Sequence, residues 1–589
     1  MQLDLKKGSR PRILAIMTLV IMAVFVARLF YLQILQHDYY VAQANAEQLK
    51  RLVIPAKRGE IYAMDDGTPV KLVLNETVYT VFADPTEVDQ PRQIADMIER
   101  IAGGNVRSDL SGLLAKKDTR YQILATKVTR RQAEMMKRQN LKGIGFQQES
   151  QRVYPEGQLA AQTLGFVNAD GQGKYGIEQA LNQQLTGKDG LLQSVTDVSN
   201  VPLTIGNNNI DKPAKNGENV VLTLDRNIQS YTEKSLTNGL QAIKNRLKSS
   251  TMPDGSVMVM DPQTGKILAM ANMPTYSPAD YNKVQNAAAF NNATISAPYE
   301  PGSDVKTLTM ATGVDKGVVG PNDTYNNTDF IKVEDRTITN ATKGQTGNIT
   351  FQHALNYSLN TGFVTVAERL GDGNNITLDA RNTMYQYFHD RLGLGGLTGI
   401  ELAGESPGTV IPPTDPDGGA VRYSNMAFGQ GLDVTMIQVC SAFSAVINGG
   451  TYHIPSVVAG AMSDDGSVFI PAAPKASRAN MVSASTSATM VDMIQKARAA
   501  FYAGQDKRGY YIGGKTGTSQ TIENGQYVDN QTIGTYLGFG GSSAGDPKYV
   551  IMVQVSGKGM NLAGNTDAMP IFTDISNWLL DYMKLQPKG

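Results

Sequence analysis

The first strong pattern in the chain is one block of apolar positions. Ile13 to Ala27 has Thr18 as its one polar residue, Arg28 interrupts, and Leu29 to Leu35 is apolar again apart from Gln33. A helix that crosses a bilayer needs about 20 apolar residues, and 13–35 supplies that length. Arg28 lies towards the far end, where a long side chain can snorkel to the interface. Lys6, Lys7, Arg10 and Arg12 precede the block, and no Lys or Arg follows until Lys50. That asymmetry predicts a cytoplasmic tail over 1–12, a transmembrane helix over 13–35 and an extracytoplasmic remainder, with Tyr31, Tyr39 and Tyr40 at the outer interface. A cleaved signal peptide with Ala42-Gln43-Ala44 as its site is the weaker reading, because the apolar run is long and the site lies well past it. A buried core helix is weaker still.

Beyond residue 37 the periodicity changes twice. Over 37–215, alternating runs such as Thr77–Phe82 read as strands and polar stretches such as Arg92–Ile101 as helices. Gly206–Asn219, rich in Asn, Gly and Lys, reads as a linker or exposed loop. From Asn219 the texture shifts. Asn219–Leu224 is a strand and Arg226 to about Leu247 a helix. The apolar runs Ser256–Asp261 and Lys266–Ala271, separated by Pro262-Gln263-Thr264-Gly265, form a hairpin pattern. Thr535–Phe539 and Tyr549–Val555 are further strands, and Ile571, Phe572, Ile575, Trp578, Leu579 and Tyr582 recur at helical spacing. Strands at both ends of this region, with helices between and after them, predict an α+β fold: one antiparallel sheet covered by helices.

Composition narrows the function classes. Among 589 residues, Lys plus Arg and Asp plus Glu both number 54, so bulk charge attracts no polyanion and nucleic acid is not an expected partner. Hydrophobic residues at 41% supply a large core and exclude a mostly disordered chain. The single cysteine, Cys440, rules out a disulfide framework within the chain and a thiolate zinc site. His37, His353, His389 and His453 are not at metal-ligand spacing, so a His-based metal site is not expected. Cys440 sits in the apolar helical stretch Val434–Val446, and it reads as core, as do the methionines of Met490–Met493.

Three short motifs carry chemistry together that none carries alone. In Pro301-Gly302-Ser303-Asp304-Val305-Lys306, Pro-Gly marks a turn, Ser303 opens a helix and Lys306 stands one turn on, on the same face. A serine hydroxyl needs a base, and lysine is one when apolar surroundings or another cation lower its pKa. A helix N-terminus adds N–H donors for an oxyanion. Ser358-Leu359-Asn360 breaks two helical runs, Phe351–Tyr357 and Phe363–Leu370, and can aim a hydroxyl and an amide into one cleft. Gly514-Lys515-Thr516-Gly517-Thr518 makes a cationic strand edge that can bind a carboxylate and donate to a carbonyl. Each alone is an ordinary helix start, polar break or strand.

In the order Ser-x-x-Lys, Ser-x-Asn, Lys-Thr-Gly, the set resembles that of the class B penicillin-binding proteins. The likeness covers nearly all of the chain. Arg58-Gly59-Glu60-Ile61, Arg152-Val153-Tyr154-Pro155, Gly165-Phe166-Val167 and Gly176-Ile177-Glu178 resemble the family's pedestal signatures. Asp261 to Met270 resembles the opening hairpin of its transpeptidase domain; Gly429-Gln430-Gly431, Thr435, Gln438 and Asn448-Gly449-Gly450 resemble its helical core. The resemblance implies a penicillin-binding, serine β-lactamase-like transpeptidase domain over 220–587. It also implies an elongated, dimerisation-type pedestal over 37–215, most like that of the division-specific (septal) branch.

The same resemblance implies a peptidoglycan D,D-transpeptidase. Ser303 attacks the penultimate D-Ala carbonyl of a stem peptide, and neutral Lys306 takes the hydroxyl proton. The N–H groups of Ser303 and Thr518 form the oxyanion hole. Ser358 relays a proton to the leaving D-Ala, and Asn360 orients Lys306 and the substrate amide. Lys515, Thr516, Gly517 and Thr518 hold the terminal carboxylate, and an amine from a neighbouring stem takes the acyl group. β-Lactams acylate the same serine, and no metal, nucleotide or other cofactor is required. The implied partners are stem peptides, β-lactams, a membrane-embedded glycan polymerase and other divisome proteins, at the cytoplasmic (inner) membrane of a bacterium. The alternatives are a membrane-anchored β-lactam sensor or scaffold, and a D,D-carboxypeptidase or β-lactamase. Retention of all three motifs argues against the scaffold, and the large pedestal against a simple lactamase.

Two departures from the family pattern stand out. Ala63-Met64-Asp65-Asp66-Gly67 replaces the usual Asp-Arg-Asn-Gly turn, and Asp304 is charged where an uncharged residue is usual. A carboxylate there favours the helix N-terminus and, if it faces Lys306, raises that lysine's pKa. Two other patterns are decoys. Gly509–Thr516 spells a phosphate-binding loop, but no apolar strand precedes it and small, extended residues follow. Gly541–Gly545 spells a nucleophile elbow, but no histidine follows Ser543, and it reads as a hairpin turn.

Overall fold

The apolar block folds as a helix from Arg10 to Phe30 that continues through a wider π-type turn over Tyr31–Leu35. Pro11 falls in its first turn, where no N–H is required, so the helix begins ahead of the predicted residue 13. The 26 residues from Arg10 to Leu35 are long and apolar enough to cross a membrane, and none is buried against protein. This computed structural model describes residues 10–40, 49–195, 210–523 and 525–587. Lys6 and Lys7, the Ala42–Ala44 site and the first part of the expected linker, 206–209, lie outside the described residues.

The chain divides into two compact units, Met1–Arg58 with Thr186–Gly217, and Gly59–Leu185 with Glu218–Gly589. In the first, Leu49–Ile54, Gly190–Val195 and Ile210–Lys212 form a three-stranded antiparallel sheet. Residues 210–212, expected as loop, are thus a strand. Their Asn- and Gly-rich surroundings signalled a turn, whereas the pairing is made by the backbone.

The second unit holds two large sheets. One runs Phe469–Pro471, Val458–Met462, Asn219–Asp225, Ile61–Asp65, Thr68–Ala83, Gln122–Thr129, with Ile144–Val153 also paired to Thr68–Ala83. Asn219–Asp225, expected at one end of the helix-covered sheet, lies here instead, parallel to Ile61–Asp65 and antiparallel to Val458–Met462. All seven of its residues are buried, which suits a strand flanked on both edges.

The other sheet is antiparallel, in the order Ile267–Met273, Asp254–Met260, Tyr549–Ser556, Gln526–Gly541, Tyr511–Glu523. Alternation of side chains splits it into two packed faces. Val257, Val259, Ile551, Val553 and Val555 meet the helices Arg226–Leu247 and Met569–Tyr582 through Leu236, Leu240, Phe572 and Ile575. Met258, Met260, Val550, Met552 and Phe539 join the opposite core, around the helix Met436–Ile447. Every residue of that helix is buried, Cys440 included. A slip of one residue would exchange the two faces, so the register is fixed by burial on both. Asp225 caps the helix Arg226–Leu247 by accepting from the N–H groups of Asn227 and Ile228.

Two sequence signatures of the N-terminal half meet in a buried ion pair. Arg152 Nε donates to Glu178 Oε1 at 2.7 Å, with side chains 6% and 0% exposed, and Arg152 Nη1 donates to Asn75 at 2.9 Å. Removing one partner of such a pair strands a charge in a dry site. Glu178→Ala is therefore expected to destabilise the protein by about 3–5 kcal/mol. Lys496→Ala, which breaks the exposed pair with Asp492, is expected to cost about 0.3–0.5 kcal/mol. Urea unfolding of both variants decides it, and equal shifts would contradict the assignment.

Candidate active site

The turn that carries Ser303 is held by backbone packing that only glycine permits. Gly302 has φ +60° and donates its N–H to Gly429 O at 2.9 Å. A Cβ on Gly302 would lie 2.8 Å from Thr518 O, and one on Gly429 1.8 Å from Gly302 O. The turn is thus clamped between Gly429 and the edge strand Tyr511–Glu523. Ser303 follows on a 3₁₀ turn, Gly302–Val305, that runs into the helix Lys306–Asp315. Its side chain is half-buried at a cleft of about 430 Å³, which is also lined by Lys306, Ser358, Asn360, Thr516 and Thr518.

Lys306 is fully buried. Its Nζ lies 2.8 Å from Ser358 O, 3.1 Å from Ser358 Oγ and 2.7 Å from Asn360 Oδ1, with the Phe363 ring 5.4 Å away. Nζ donates to all three oxygens. Burial holds its pKa well below the ordinary lysine value, and the charge of Lys515 lowers it further. Ser303 Oγ makes no hydrogen bond among the described residues, since Lys306 is turned to the Ser-x-Asn segment. Such bonds often tighten only when substrate binds.

Ser358 ends the helix Phe351–Tyr357 in the left-handed region, φ +56°, which is unusual for serine and places its hydroxyl at Lys306. Asn360 is the first residue of the next helix, Asn360–Arg369, which starts earlier than the apolar pattern indicated. Its Nδ2 donates to Thr339 O at 2.9 Å. Thr361 adds bonds to Asn340 and Asn327, so the Ser-x-Asn break is fastened to a small lobe of hairpin strands, 324–350.

Along the edge strand, Thr516 and Thr518 face the cleft, while Lys515 and Gly517 are buried behind it. Lys515 Nζ bonds Thr516 O at 2.9 Å and Thr516 Oγ1 at 3.3 Å, and it lines an adjoining recess of about 350 Å³ with Tyr357 and Phe501. Thr518 Oγ1 accepts from the N–H of Gly564 at 3.2 Å. Of the residues expected at the site, six therefore line one cleft, and Lys515 and Gly517 support it from behind. Thr342, Phe428 and Asn565 also line the cleft. No local pattern marks them, because the segments that carry them converge only in three dimensions.

Asp304 does not face Lys306. It is buried beside Gly517 and Thr535, and its charge acts on Lys515. The expected upward pull on Lys306 is absent: burial and Lys515 account for that shift, and both lower it. The two decoys fall as expected. Lys515 is in mid-strand with no helix after it, and Gly541–Gly545 turns between Gln526–Gly541 and Tyr549–Ser556.

A helix-covered five-stranded sheet with this cleft on its edge strand is the architecture of a penicillin-binding transpeptidase. The structure of penicillin-binding protein 2X from Streptococcus thermophilus superposes with a TM-score of 0.72, covering 91% of this chain and 80% of that one at 23% identity. The chain belongs to the penicillin-binding protein family: residues 255–577 match its transpeptidase domain and 53–222 its dimerisation domain. Stage V sporulation protein D of Bacillus subtilis is 29% identical over 98% of this chain and 87% of its own length. Peptidoglycan D,D-transpeptidase FtsI of Escherichia coli is 26% identical over 97% and 91% respectively.

Gly517 tests the packing of the site. A Cβ there would lie 2.1 Å from Thr535 Oγ1 and 2.9 Å from Asp304 Oδ2. Gly517→Ala is expected to push the strand outward and slow acylation by a fluorescent penicillin about 100-fold while the protein stays folded. A near wild-type rate would show that the strand has room to spare.

Proposed function

We propose that the chain is a peptidoglycan D,D-transpeptidase that works through an acyl-enzyme on Ser303. The observation that carries this is the buried Lys306 amine, seated against Ser358 and Asn360 one helical turn beyond a cleft-facing serine, where burial and then Lys515 hold its pKa low. Ser303 Oγ attacks the penultimate D-Ala carbonyl as its proton passes to Lys306 Nζ. The N–H groups of Ser303 and Thr518 receive the developing oxyanion; the close approach of Thr518 to Gly302 supports that pairing. The C–N bond to the terminal D-Ala then breaks, and the amine leaves with a proton delivered from Lys306 through Ser358. Thr516 and Thr518 hold the terminal carboxylate, with Lys515 behind them as the cation. Asn360 fixes Lys306 and the substrate amide. An amine from a second stem then attacks the ester carbonyl, forming the cross-link and returning the proton to Ser303.

The same proposal places Arg10 and Arg12 on the cytoplasmic side of the inner membrane of a bacterium and the catalytic unit outside it. The division wall is the site of action, and a membrane-embedded glycan polymerase and other divisome proteins are the partners. The pedestal signatures support that placement. β-Lactams acylate Ser303 in place of the stem peptide.

The two lysines need opposite charge states, and arginine separates them. Arginine remains protonated and cannot act as a base. Lys306→Arg is expected to abolish acylation as fully as Ser303→Ala. Lys515→Arg keeps the cation and is expected to retain a measurable fraction, whereas Lys515→Ala raises the barrier by on the order of 2–4 kcal/mol. Second-order rates with a fluorescent penicillin test this; near wild-type reaction of Lys306→Arg would remove it from the role of base.

A further inference from the structure

Asp304 is the residue of the nucleophile turn that the acylation chemistry leaves without a task. It is 0% exposed, and neither of its carboxylate oxygens closes a hydrogen bond of normal geometry. Thr535 Oγ1 stands beside it, likewise without a closed hydrogen bond. A buried carboxylate in that condition is costly unless a cation offsets it. Among the described residues, the cation whose charge acts on Asp304 is Lys515, at longer range than a contact ion pair. Gly517, two residues along the strand from Lys515, turns its bare back to Asp304: a Cβ there would come within 2.9 Å of Asp304 Oδ2. Gly564 covers the same glycine, since a Cβ on Gly564 would meet Gly517 O at 2.4 Å. The strand segment that carries Thr516 and Thr518 is thus packed against a buried carboxyl group, which burial pushes towards its neutral form and Lys515 pulls back towards the anion, at the point where it must present a cation.

We propose that Asp304 is a positioning residue for the acylation reaction: packed against Gly517 and Thr535, its carboxylate is the counter-charge that keeps Lys515 protonated and the Thr516–Thr518 segment set to receive the substrate carboxylate. This rests on the serine acyl-transfer reading of the same site.

The signs follow from the groups that face the pair. Burial raises the Asp304 pKa and lowers that of Lys515, and their mutual attraction opposes both shifts. Tyr299, ahead of the turn, and Cys440, on the helix Met436–Ile447, also face Asp304; burial first, and Asp304 second, push both far upward, so they stay neutral. Lys306 faces Lys515 and is itself depressed. With Asp304 neutralised, burial acts on Lys515 unopposed, and its proton comes off at lower pH.

The test follows acylation of the full chain in detergent by a fluorescent penicillin, from about pH 5 to about pH 10. In the wild type the rate rises as Lys306 loses its proton and falls as Lys515 loses its own. In Asp304→Asn and Asp304→Ser the falling limb is expected to move to lower pH by on the order of one unit, with the label still on Ser303 by mass spectrometry. In Lys515→Arg, which does not titrate, the falling limb is expected to vanish, and adding Asp304→Asn is expected to shift nothing further. A rate lowered equally at every pH, with the limb unmoved in both Asp304 variants, would make Asp304 packing alone and overturn the proposal. Loss of the thermal unfolding transition in both variants would overturn it in the same way. If the wild type carries no label on Ser303, the reading of the site itself fails, and this inference with it.

Discussion

The proposed chemistry depends on keeping one amine, that of Lys306, uncharged. Lys306 is fully buried, so its protonated form loses most of the hydration that stabilises it in solution. Its neighbours are a carbonyl, a hydroxyl, an amide oxygen and an aromatic ring, and no carboxylate is among its bonded partners. A carboxylate in contact would favour the charged form and unsuit Lys306 to the proposed role of base. The placement of Asp304 is informative here. The unusual acid in the Ser-x-x-Lys turn is directed away from Lys306, to the far side of the strand that carries Lys515.

Dryness at Lys306 requires close packing around it. The hairpin lobe 324–350 fastens Asn360 and Thr361, the Gly302–Gly429 contact fixes the turn, and Gly517 lets the edge strand close over Asp304 and Thr535. Behind that strand, Arg498 is 1% exposed and held by Asp506, Tyr536 and Thr573, with the Tyr536 hydroxyl tight against Gly514. Backbone approaches of this kind leave no room for a β-carbon, which accounts for the glycines on both sides of the cleft. The chemistry is thus supported by strand and helix positions set mainly by the two faces of the five-stranded sheet.

Much of this was legible in the residues. The helix Arg226–Leu247, the hairpin around Pro262–Gly265, the closing strands and the last helix all follow from period and turn chemistry, because each is buried on a face that sequence spacing records. The three motifs were legible as types, and the fold brings them within one cleft. What was not legible depends on long-range pairing. Asn219–Asp225 reads as a strand, but nothing local says that it joins Ile61–Asp65. Residues 210–212 look like loop and pair through their backbone alone. Thr342 and Asn565 reach the cleft from segments with no signature, and the side of the strand on which Asp304 lies is a fact of packing.

The most direct test of the account supplies the protein with a stem-peptide thioester as donor and a D-amino acid or second stem as acceptor amine, followed by mass spectrometry. With donor alone, the peptide containing Ser303 is predicted to carry the acyl group. With the acceptor added, that adduct is predicted to fall as the cross-linked product appears. A chain that carries no acyl group on Ser303, or one whose adduct is released only to water whatever the acceptor concentration, would contradict a transpeptidase built on a neutral Lys306.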